Sequence, residues 1–403
     1  MMSKNRWAIV LCIALALAVT SCGDDDEDPI TPPADCDCLS SMAGPPDEFV
    51  YVANANDDNV TVINPRDCCV VATIPVGDNP GELNASADGE FVFVSNNDDG
   101  TVTVIHAEDN EVHETLTVGA GPLHSFWNPS HTELWVRNDD GASVSVIDAA
   151  LNVTTIPTGA GHGKMAMAPG ANPGEFTVYV SNINDGTLTA INGATKQFEA
   201  TIPVGAGPHG MDYSSVSKKV YNCSDAGVEV IATEGPQKNT VLTTIAVNSR
   251  GNYMHASPDG SQMWFTAPDA DEVGIIDCLG DSLLGTVTAG NNPDKIAFME
   301  GDIVAISNVL SADLTLINMN TLQKVGSLGV GGLGFYNEQF GFGHRQVKES
   351  LDGEWAYVPN GADDTFTIIH VPSRTTKVLT IPTGDQPGAV IVAGPTGGGA
   401  YPR

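Results

Sequence analysis

Residues 177–203, with the sequence TVYVSNINDGTLTAINGATKQFEATIP, decide the fold of this chain. Residues 177–181 alternate in character and are rich in β-forming side chains, which is typical of a strand. Residues 182–186 (Asn-Ile-Asn-Asp-Gly) suit a tight hairpin turn because Asn, Asp and Gly tolerate turn conformations. Two more strands are predicted at 187–191 and 198–202. The proline that ends the stretch removes a ladder donor and breaks the pattern.

The same pattern recurs eight times along the chain. Its markers are isoleucines separated by 42, 42, 44, 40, 45, 41 and 52 residues: Ile63, Ile105, Ile147, Ile191, Ile231, Ile276, Ile317 and Ile369. An asparagine stands nine positions before each marker, except that Ala267 precedes Ile276: Asn54, Asn96, Asn138, Asn182, Asn222, Asn308 and Asn360. A fourth strand completes each period. Self-similarity at about 40–45 residues with four short strands predicts an all-β fold, a β-propeller of eight four-stranded blades.

The two ends of the repeat predict how the ring closes. The chain enters with three strands of a blade, within residues 49–76, and leaves with a single strand at 388–392. This last strand is predicted to complete the first blade. The propeller is therefore expected to occupy residues 47–394 as one domain, followed by a short C-terminal tail, 395–403.

Recurrent phrases within the repeat resemble those of a known family. Tyr51-Val-Ala-Asn, Phe93-Val-Ser-Asn and Tyr179-Val-Ser-Asn, with Thr73-Ile-Pro-Val-Gly and Thr201-Ile-Pro-Val-Gly, resemble the signature of the YVTN β-propeller repeat family. The resemblance alone favours seven blades, whereas the count of marker isoleucines favours eight. Eight is our prediction, with seven as the alternative.

The N-terminus predicts export. Lys4 and Arg6 precede an apolar stretch, residues 7–19, that is too short to span a bilayer as a stable helix. Small residues follow it, as at a signal-peptide cleavage site, so residues 1–21 are predicted to be a signal peptide. The sequence Val-Thr-Ser-Cys at 19–22 also resembles the bacterial lipobox, which implies lipidation of Cys22. An ordinary secretory signal with a chance cysteine is the alternative.

The residues after Cys22 indicate a tether and a location. Residues 22–46 are acidic and rich in proline, cannot bury a core, and are predicted to be a disordered tether. The lipid would make the membrane a partner of this protein. Gly23, rather than Asp, resembles lipoproteins sent to the outer membrane, so the outer membrane or cell surface is expected rather than the inner membrane.

The bulk charge excludes one class of partner. The formal net charge is −33, and only 17 residues are Lys or Arg. Nucleic-acid binding needs clustered basic residues, so a nucleic acid is not expected as a partner. A solvated acidic surface is the simplest interpretation, and binding of cations or of a basic partner is the alternative. We expect a monomeric ring.

The cysteines suit an oxidising compartment. Setting aside Cys12 in the signal and Cys22 leaves an even number, six, which favours disulfides outside the cytosol. Our hypothesis is that Cys36 and Cys38 form one or two bridges with Cys68 and Cys69, pinning the tether to the first blade. Free or differently paired thiols are the alternative. No CxxCH or CxxC motif for c-type haem or a zinc knuckle occurs.

Histidines gather in the loops that lead into the innermost strands, where propellers usually bind ligands. The residues predicted to form the ligand mouth are His124, His162, Lys164, His209, His344 and Arg345. His255 and Lys295 lie in or just after the same set of loops. His162 and His344 share one register four blades apart and are predicted to face each other across the axis. The cluster resembles in architecture the copper site of nitrous oxide reductase, and haem nitrite reductases also use axial histidine. The other histidines differ in register, however, and are expected to differ in height, so channel-lining polar residues are favoured over copper or haem.

An extra segment of about ten residues precedes the last marker isoleucine. It concentrates aromatic residues between glycines, among them Phe335 and Tyr336, which are predicted to act as a lid that recognises the ligand. Plugging of the channel is the alternative. Acidic hairpins such as Asn97-Asp-Asp-Gly could supply calcium ligands, but tight turns require the same residues, so a structural role is favoured.

No catalytic residue is identified, because no nucleophile elbow, HExxH or phosphate-binding glycine loop is present. The preferred interpretation is a membrane-anchored binding module at the cell envelope, for a small molecule, a peptide or a protein. Its rival is a periplasmic enzyme, either a redox protein with copper or haem or a lactonase- or quinoprotein-like propeller. A structural envelope protein without a ligand is the third interpretation.

Overall fold

The computed structural model describes residues 48–332, 347–373, 375–379 and 381–393. These residues form eight antiparallel sheets. The innermost strands of neighbouring sheets contact one another, so the sheets are the blades of a propeller around a common axis. The predicted β-propeller with eight blades is confirmed, and the alternative of seven is wrong.

Each blade is described from the axis outward as an inner, a second, a third and an outer strand. Blade 1 contains Pro387–Ala393, Phe49–Asn54, Asn59–Asn64 and Cys69–Pro75; blade 2 contains Pro80–Ala85, Phe91–Asn96, Thr101–His106 and Glu111–Thr117. Blade 3 contains Pro122–Trp127, Glu133–Asn138, Ser143–Asp148 and Val153–Pro157; blade 4 contains Met165–Pro169, Phe176–Asn182, Thr187–Asn192 and Gln197–Pro203. Blade 5 contains Met211–Ser214, Lys219–Ser224, Gly227–Ala232 and Val241–Ile245; blade 6 contains Met254–Ala256, Gln262–Ala267, Glu272–Asp277 and Ser282–Thr288. Blade 7 contains Pro293–Met299, Ile303–Asn308, Asp313–Asn318 and Gln323–Gly329; blade 8 contains Lys348–Glu349, Trp355–Asn360, Thr365–His370 and Thr375–Leu379, with Ile381–Pro382 pairing with its third strand.

The two ends of the propeller meet in one sheet. The inner strand Pro387–Ala393 pairs antiparallel with Phe49–Asn54, and Tyr51 lies opposite Ile391. The predicted closure by the C-terminal strand is therefore confirmed. The fourth strand of each sequence repeat is the inner strand of the following blade, which stitches successive repeats together.

The repeated asparagine fastens a hairpin. Asn182 ends the second strand of blade 4, is fully buried, and donates from Nδ2 to Thr187 Oγ1 (3.1 Å) and Thr189 Oγ1 (2.9 Å). Asn96 does the same in blade 2, with both distances 2.9 Å. Where Ala267 replaces the asparagine, a short 3-10 helix, Pro268–Ala270, forms the connection instead. The asparagine therefore holds the second and third strands together at their turn.

The marker isoleucines form the core between blades. Ile191 packs with Trp135 and Val146 of the preceding blade, and Ile147 packs with Phe93 of the blade before it. All eight marker isoleucines are at most 1 % exposed. Burial of such a side chain contributes about 1.5–3 kcal/mol, so these contacts bind each blade to its neighbour. The marker isoleucine therefore packs one blade against the next.

Buried tyrosines add a polar tie between blades. Tyr179 Oη donates to Asn239 Oδ1 (2.8 Å), and Tyr51 Oη donates to Asn110 Oδ1 (2.8 Å). Each acceptor lies in the outer hairpin of the next blade and has a left-handed backbone, with φ of 63° at Asn239 and 57° at Asn110. Asparagine tolerates this conformation, so one residue both makes the turn and receives the tyrosine.

The acidic hairpins have structural partners. Asp58 Oδ1 accepts from the backbone N–H of Asn79 (2.9 Å), and Asp185 Oδ2 accepts from that of Ala160 (2.9 Å). Each carboxylate thus binds the loop that connects two neighbouring blades. These contacts give the carboxylates the structural role in turns and loops that the sequence favours.

The cysteines divide into two groups. Cys68 and Cys69 are disulfide-bonded, whereas Cys223 and Cys278 are free, buried thiols. Cys36 and Cys38, the predicted partners, lie outside the described residues, as do the predicted signal peptide, Cys22, the tether and the C-terminal tail. Within the described part of the chain, no helix has the length and hydropathy to cross a membrane.

Candidate functional site on the propeller axis

One repeat position supplies the ionisable side chains at the axis. The connecting loops end at a common position, occupied by Pro80, Pro122 and Pro293 and, in blade 4, by His162. The residue two positions further on lies in the inner strand or directly before it. In five blades this residue is ionisable, and the set comprises Glu82, His124, Lys164, Tyr253 and Lys295. These five side chains, together with His162 and His209, are called the axial cluster.

The motif that marks the repeat also positions these residues. Ser181 Oγ accepts from the backbone N–H of Lys164 (2.8 Å), and Ser307 Oγ accepts from that of Lys295 (3.0 Å). Thr266 Oγ1 accepts from the N–H of Tyr253 in the same way (3.1 Å). Each hydroxyl directly precedes the marker asparagine or Ala267, so the second strand fixes the start of the inner strand and aims the side chain it carries.

Glu82, His124 and Lys164 come from three consecutive blades and meet at one nitrogen. His124 Nδ1 lies 2.6 Å from Glu82 Oε2 and 2.9 Å from Lys164 Nζ. Burial raises the pKa of Glu82 to about 7, against the attraction of Lys164 and Lys295. Burial and then the nearby charge of Lys295 lower the pKa of Lys164 to about 7. Both groups therefore exchange protons near neutrality.

His162 is held by a buried ion pair. Its Nδ1 lies 2.5 Å from Asp139 Oδ2, and Arg137 Nε lies 3.5 Å from Asp139 Oδ1. Arg137 is fully buried and donates to Thr158 Oγ1 (2.8 Å) and to the carbonyl oxygen of Gly161, next to His162. Burial lowers the pKa of the guanidinium, and Asp139 opposes that shift. Arg137 therefore holds in place both the Asp139 carboxylate that contacts His162 and the loop that contains His162.

Three histidine rings meet despite their different registers. The ring centroids of His162 and His124 are 5.2 Å apart, and those of His162 and His209 are 5.0 Å apart in a stacked arrangement. The rings touch although their loop registers differ, and the planes of the His162 and His124 rings are inclined by 70°. One position along a strand is about 3.3 Å, which is less than the reach of a histidine side chain.

His209 and His255 have different environments. His209 Nδ1 lies 2.6 Å from the carbonyl oxygen of Asn252, so it donates there. Burial, followed by the charges of His162 and Lys164, holds the pKa of His209 well below its usual value, and the ring is neutral. His255, in the inner strand Met254–Ala256, is half exposed and contacts Asp212 Oδ2 (2.9 Å) outside the axial cluster.

Tyr253 joins the two lysines. Lys295 Nζ lies 4.6 Å from the centroid of the Tyr253 ring, and Lys164 Nζ lies 5.4 Å from it. Both distances allow cation–π attraction. Lys295 Nζ also lies 3.4 Å from Asp294 Oδ1. Two amines from blades 4 and 7 thus share one aromatic ring in the interior, where like charges repel strongly.

Of the eight residues predicted for the ligand mouth, the structure brings together His124, His162, Lys164 and His209. The other four predicted residues, Phe335, Tyr336, His344 and Arg345, lie outside the described ranges. Sequence reasoning missed Glu82, Asp139 and Tyr253. Comparing the residue two positions after the end of each connecting loop, which is Pro80 for Glu82 and Gly251 for Tyr253, would have revealed both. In the described ranges, no group of three or more His, Cys, Asp or Glu residues is arranged to hold a metal ion.

Comparisons with known proteins reveal likeness of fold. No family model matches the chain, and no curated protein matches it. A solved structure of dihydro-heme d1 dehydrogenase NirN in complex with DHE has a TM-score of 0.67 and 16% identity, covering 87% of this chain and 76% of that one. Apo AztD from Citrobacter koseri has a TM-score of 0.67 and 14% identity, covering 87% of this chain and 98% of that one.

Kuenenia stuttgartiensis hydrazine synthase is a third similar structure. Its TM-score is 0.56 at 18% identity, and the match covers 72% of this chain and 95% of that one. At such identities the likeness extends to the fold alone. The chain is therefore an eight-bladed β-propeller whose fold is similar to that of NirN and AztD.

Proposed function

We propose that this protein is an extracytoplasmic, lipid-anchored β-propeller of the YVTN type that acts as a binding module at the cell envelope. Its ligand is a small molecule with an anionic group, bound by the axial cluster. The observation that carries the proposal is the convergence of buried ionisable side chains from several blades. Buried charges cost folding free energy, and strongly shifted pKa values cluster at functional sites.

The arrangement of the two lysines supports an anionic ligand. Lys164 and Lys295 are 6 % and 8 % exposed and share the ring of Tyr253. A carboxylate beside them would relieve the repulsion between two ammonium groups and accept charge-assisted hydrogen bonds. The neutral ring of His209 and the braced ring of His162 would add hydrogen-bonding groups without adding negative charge.

The sequence supports the cellular setting. The basic N-terminus, the apolar stretch 7–19 and the Val-Thr-Ser-Cys sequence ending at Cys22 fit a lipoprotein signal. The acidic tether that follows would hold the propeller away from the membrane surface. The Tyr-Val-Ser-Asn phrases support the YVTN assignment, and the disulfide bonding of Cys68 and Cys69 fits an oxidising compartment.

The rival function is a redox enzyme. It is favoured by the three histidine rings with centroids 5.0–5.2 Å apart, and by two structural neighbours whose names denote enzymes. Metal analysis and a visible spectrum of protein exported and folded in its own host distinguish the two. Copper or haem near one per chain would support the redox enzyme. A colourless, metal-free protein would support the binding module.

Direct binding tests the proposal. Glycolate, a small carboxylate, is titrated calorimetrically into the wild type, Lys295→Met and the control Lys218→Met, whose lysine is exposed. We expect the wild type and the control to bind alike and Lys295→Met to bind at least about tenfold more weakly, since one charge-assisted hydrogen bond contributes about 1.5–3 kcal/mol. Equal affinity in all three would contradict an anion site at the axis.

A further inference from the structure

We propose that Lys164 is a nucleophilic amine that forms a reversible imine with a ligand carrying both a carbonyl and a carboxylate group. The proposal rests on the proposed function, because it deepens the chemistry of the same site. The ligand class would be aldehyde acids and keto acids. Lys295 would hold the carboxylate, and Lys164 would attack the carbonyl carbon.

The geometry around His124 carries the argument. A ring nitrogen offers either one N–H or one lone pair, yet His124 Nδ1 faces both Glu82 Oε2 at 2.6 Å and Lys164 Nζ at 2.9 Å. That nitrogen cannot donate to a Glu82 carboxylate and accept from a Lys164 ammonium at the same time. If Nδ1 carries the proton, it donates to the carboxylate, and Lys164 must turn its own lone pair towards it. Lys164 is then a neutral amine.

The absence of a proton on His124 Nδ1 leads to a second arrangement. If Nδ1 has a lone pair, it accepts from the Lys164 ammonium, and the Glu82 carboxyl must be protonated to avoid facing that lone pair. Two protons separate the two arrangements, and the neutral amine belongs to the alkaline one. Burial raises the pKa of Glu82 and lowers the pKa of Lys164, in each case to about 7. The alkaline arrangement therefore forms just above neutral pH.

The surroundings of Lys164 suit a nucleophile. The charged groups that face it are Lys295, Glu82, Asp294 and Asp139. A buried lysine next to a second cation is a known route to a reactive amine, because the neighbour disfavours the ammonium form. The neutral amine attacks the carbonyl carbon, the C–N bond forms, and the carbonyl oxygen leaves as water after receiving two protons. His124 Nδ1 can accept the proton released from the amine nitrogen as it passes its own proton to the Glu82 carboxylate.

Reductive trapping tests the inference. The full-length protein is incubated with glyoxylate and sodium cyanoborohydride, which supplies hydride to the imine and leaves a carboxymethyl group on the modified lysine. Peptide mapping then identifies that lysine. At pH 7.5 we expect Lys164 to be modified at least about tenfold faster than the exposed Lys218, since an ordinary lysine of pKa about 10.4 is almost wholly protonated there. Its rate should level off above pH 8, while that of Lys218 keeps rising.

Variants and a second probe separate the outcomes. Lys164→Met should lose the rapid adduct, and Lys218→Arg should keep it; if Lys164→Met fails to fold, the site mapped in the wild type still decides. Modification of exposed lysines without Lys164 would overturn the inference. If glycolate nevertheless binds with dependence on Lys295, the proposed binding module survives and only the nucleophile fails. If neither probe engages the axial cluster, both proposals fail.

Discussion

Glu48 links the stability of the ring to pH. This residue is 3 % exposed, accepts from the backbone N–H of Leu351 (2.9 Å), and accepts from the hydroxyl of Tyr357. It thus joins the start of blade 1 to blade 8. Burial raises the pKa of Glu48 from 4.5 to about 7, although both hydrogen bonds oppose that shift.

The sign of the effect follows from proton binding. Because the folded-state pKa is the higher one, the folded protein binds more protons than the unfolded chain between pH 4.5 and pH 7. Stability from this group is present below pH 4.5 and is lost as the pH rises to 7. The difference between a pKa of 4.5 and one of about 7 corresponds to about 3 kcal/mol. Glu48→Gln keeps both contacts when its amide oxygen accepts from Leu351 and its amide nitrogen donates to the Tyr357 oxygen. The substitution removes the titration, so it should gain stability over the wild type as the pH rises.

Urea unfolding at several pH values checks this prediction. The difference in unfolding free energy between Glu48→Gln and the wild type should grow by about 3 kcal/mol between pH 4.5 and pH 8. The exposed Glu108→Gln serves as the control and should show no such growth. A difference for Glu48→Gln that stays within about 0.5 kcal/mol over this range would refute the reasoning, because it would mean that the carboxyl titrates alike in both states.

Three further predictions concern the fold and the ligand mouth. Asn182→Ala should lower the unfolding free energy by about 1–3 kcal/mol, measured by urea unfolding against the exposed Asn184→Ala, because two buried hydrogen bonds are lost. Tyr179→Phe should lower it by about 1 kcal/mol through loss of the bond to Asn239; an unchanged urea midpoint would show that the tie between blades contributes nothing. His162→Ala and His344→Ala should weaken glycolate binding non-additively in a double-mutant cycle if both face one ligand, whereas independent or null effects would count against a shared site.

The fold could be predicted because the residues that recur in the repeat have structural roles. The marker isoleucine fills the space between blades, and the marker asparagine closes a hairpin. The isoleucine recurs in every blade and the asparagine in all but the blade that carries Ala267, so their spacing reports the architecture directly. Seven asparagines and eight isoleucines thus outweighed the preference for seven blades that the family resemblance implied.

The site could be predicted only in part, because the residue type at the shared repeat position differs from blade to blade. The histidines stood out by their rarity, but Glu82 is one of 50 acidic residues and carries no local sign of burial. Its environment depends on which inner strands meet at the axis, and that is set by tertiary structure. Loop register describes backbone positions, whereas side-chain length also decides which rings touch.

The pairing of Tyr51 with Ile391 determines when this protein can finish folding. Phe49–Asn54 is synthesised long before its partner, so blade 1 lacks its inner strand until Pro387–Ala393 has emerged. During that interval the backbone of Phe49–Asn54 presents an open edge on which foreign strands can dock. Contacts of such long sequence separation also form slowly. Any factor that protects this open edge in the nascent chain would therefore be needed from the emergence of Phe49–Asn54 until Pro387–Ala393 pairs with it.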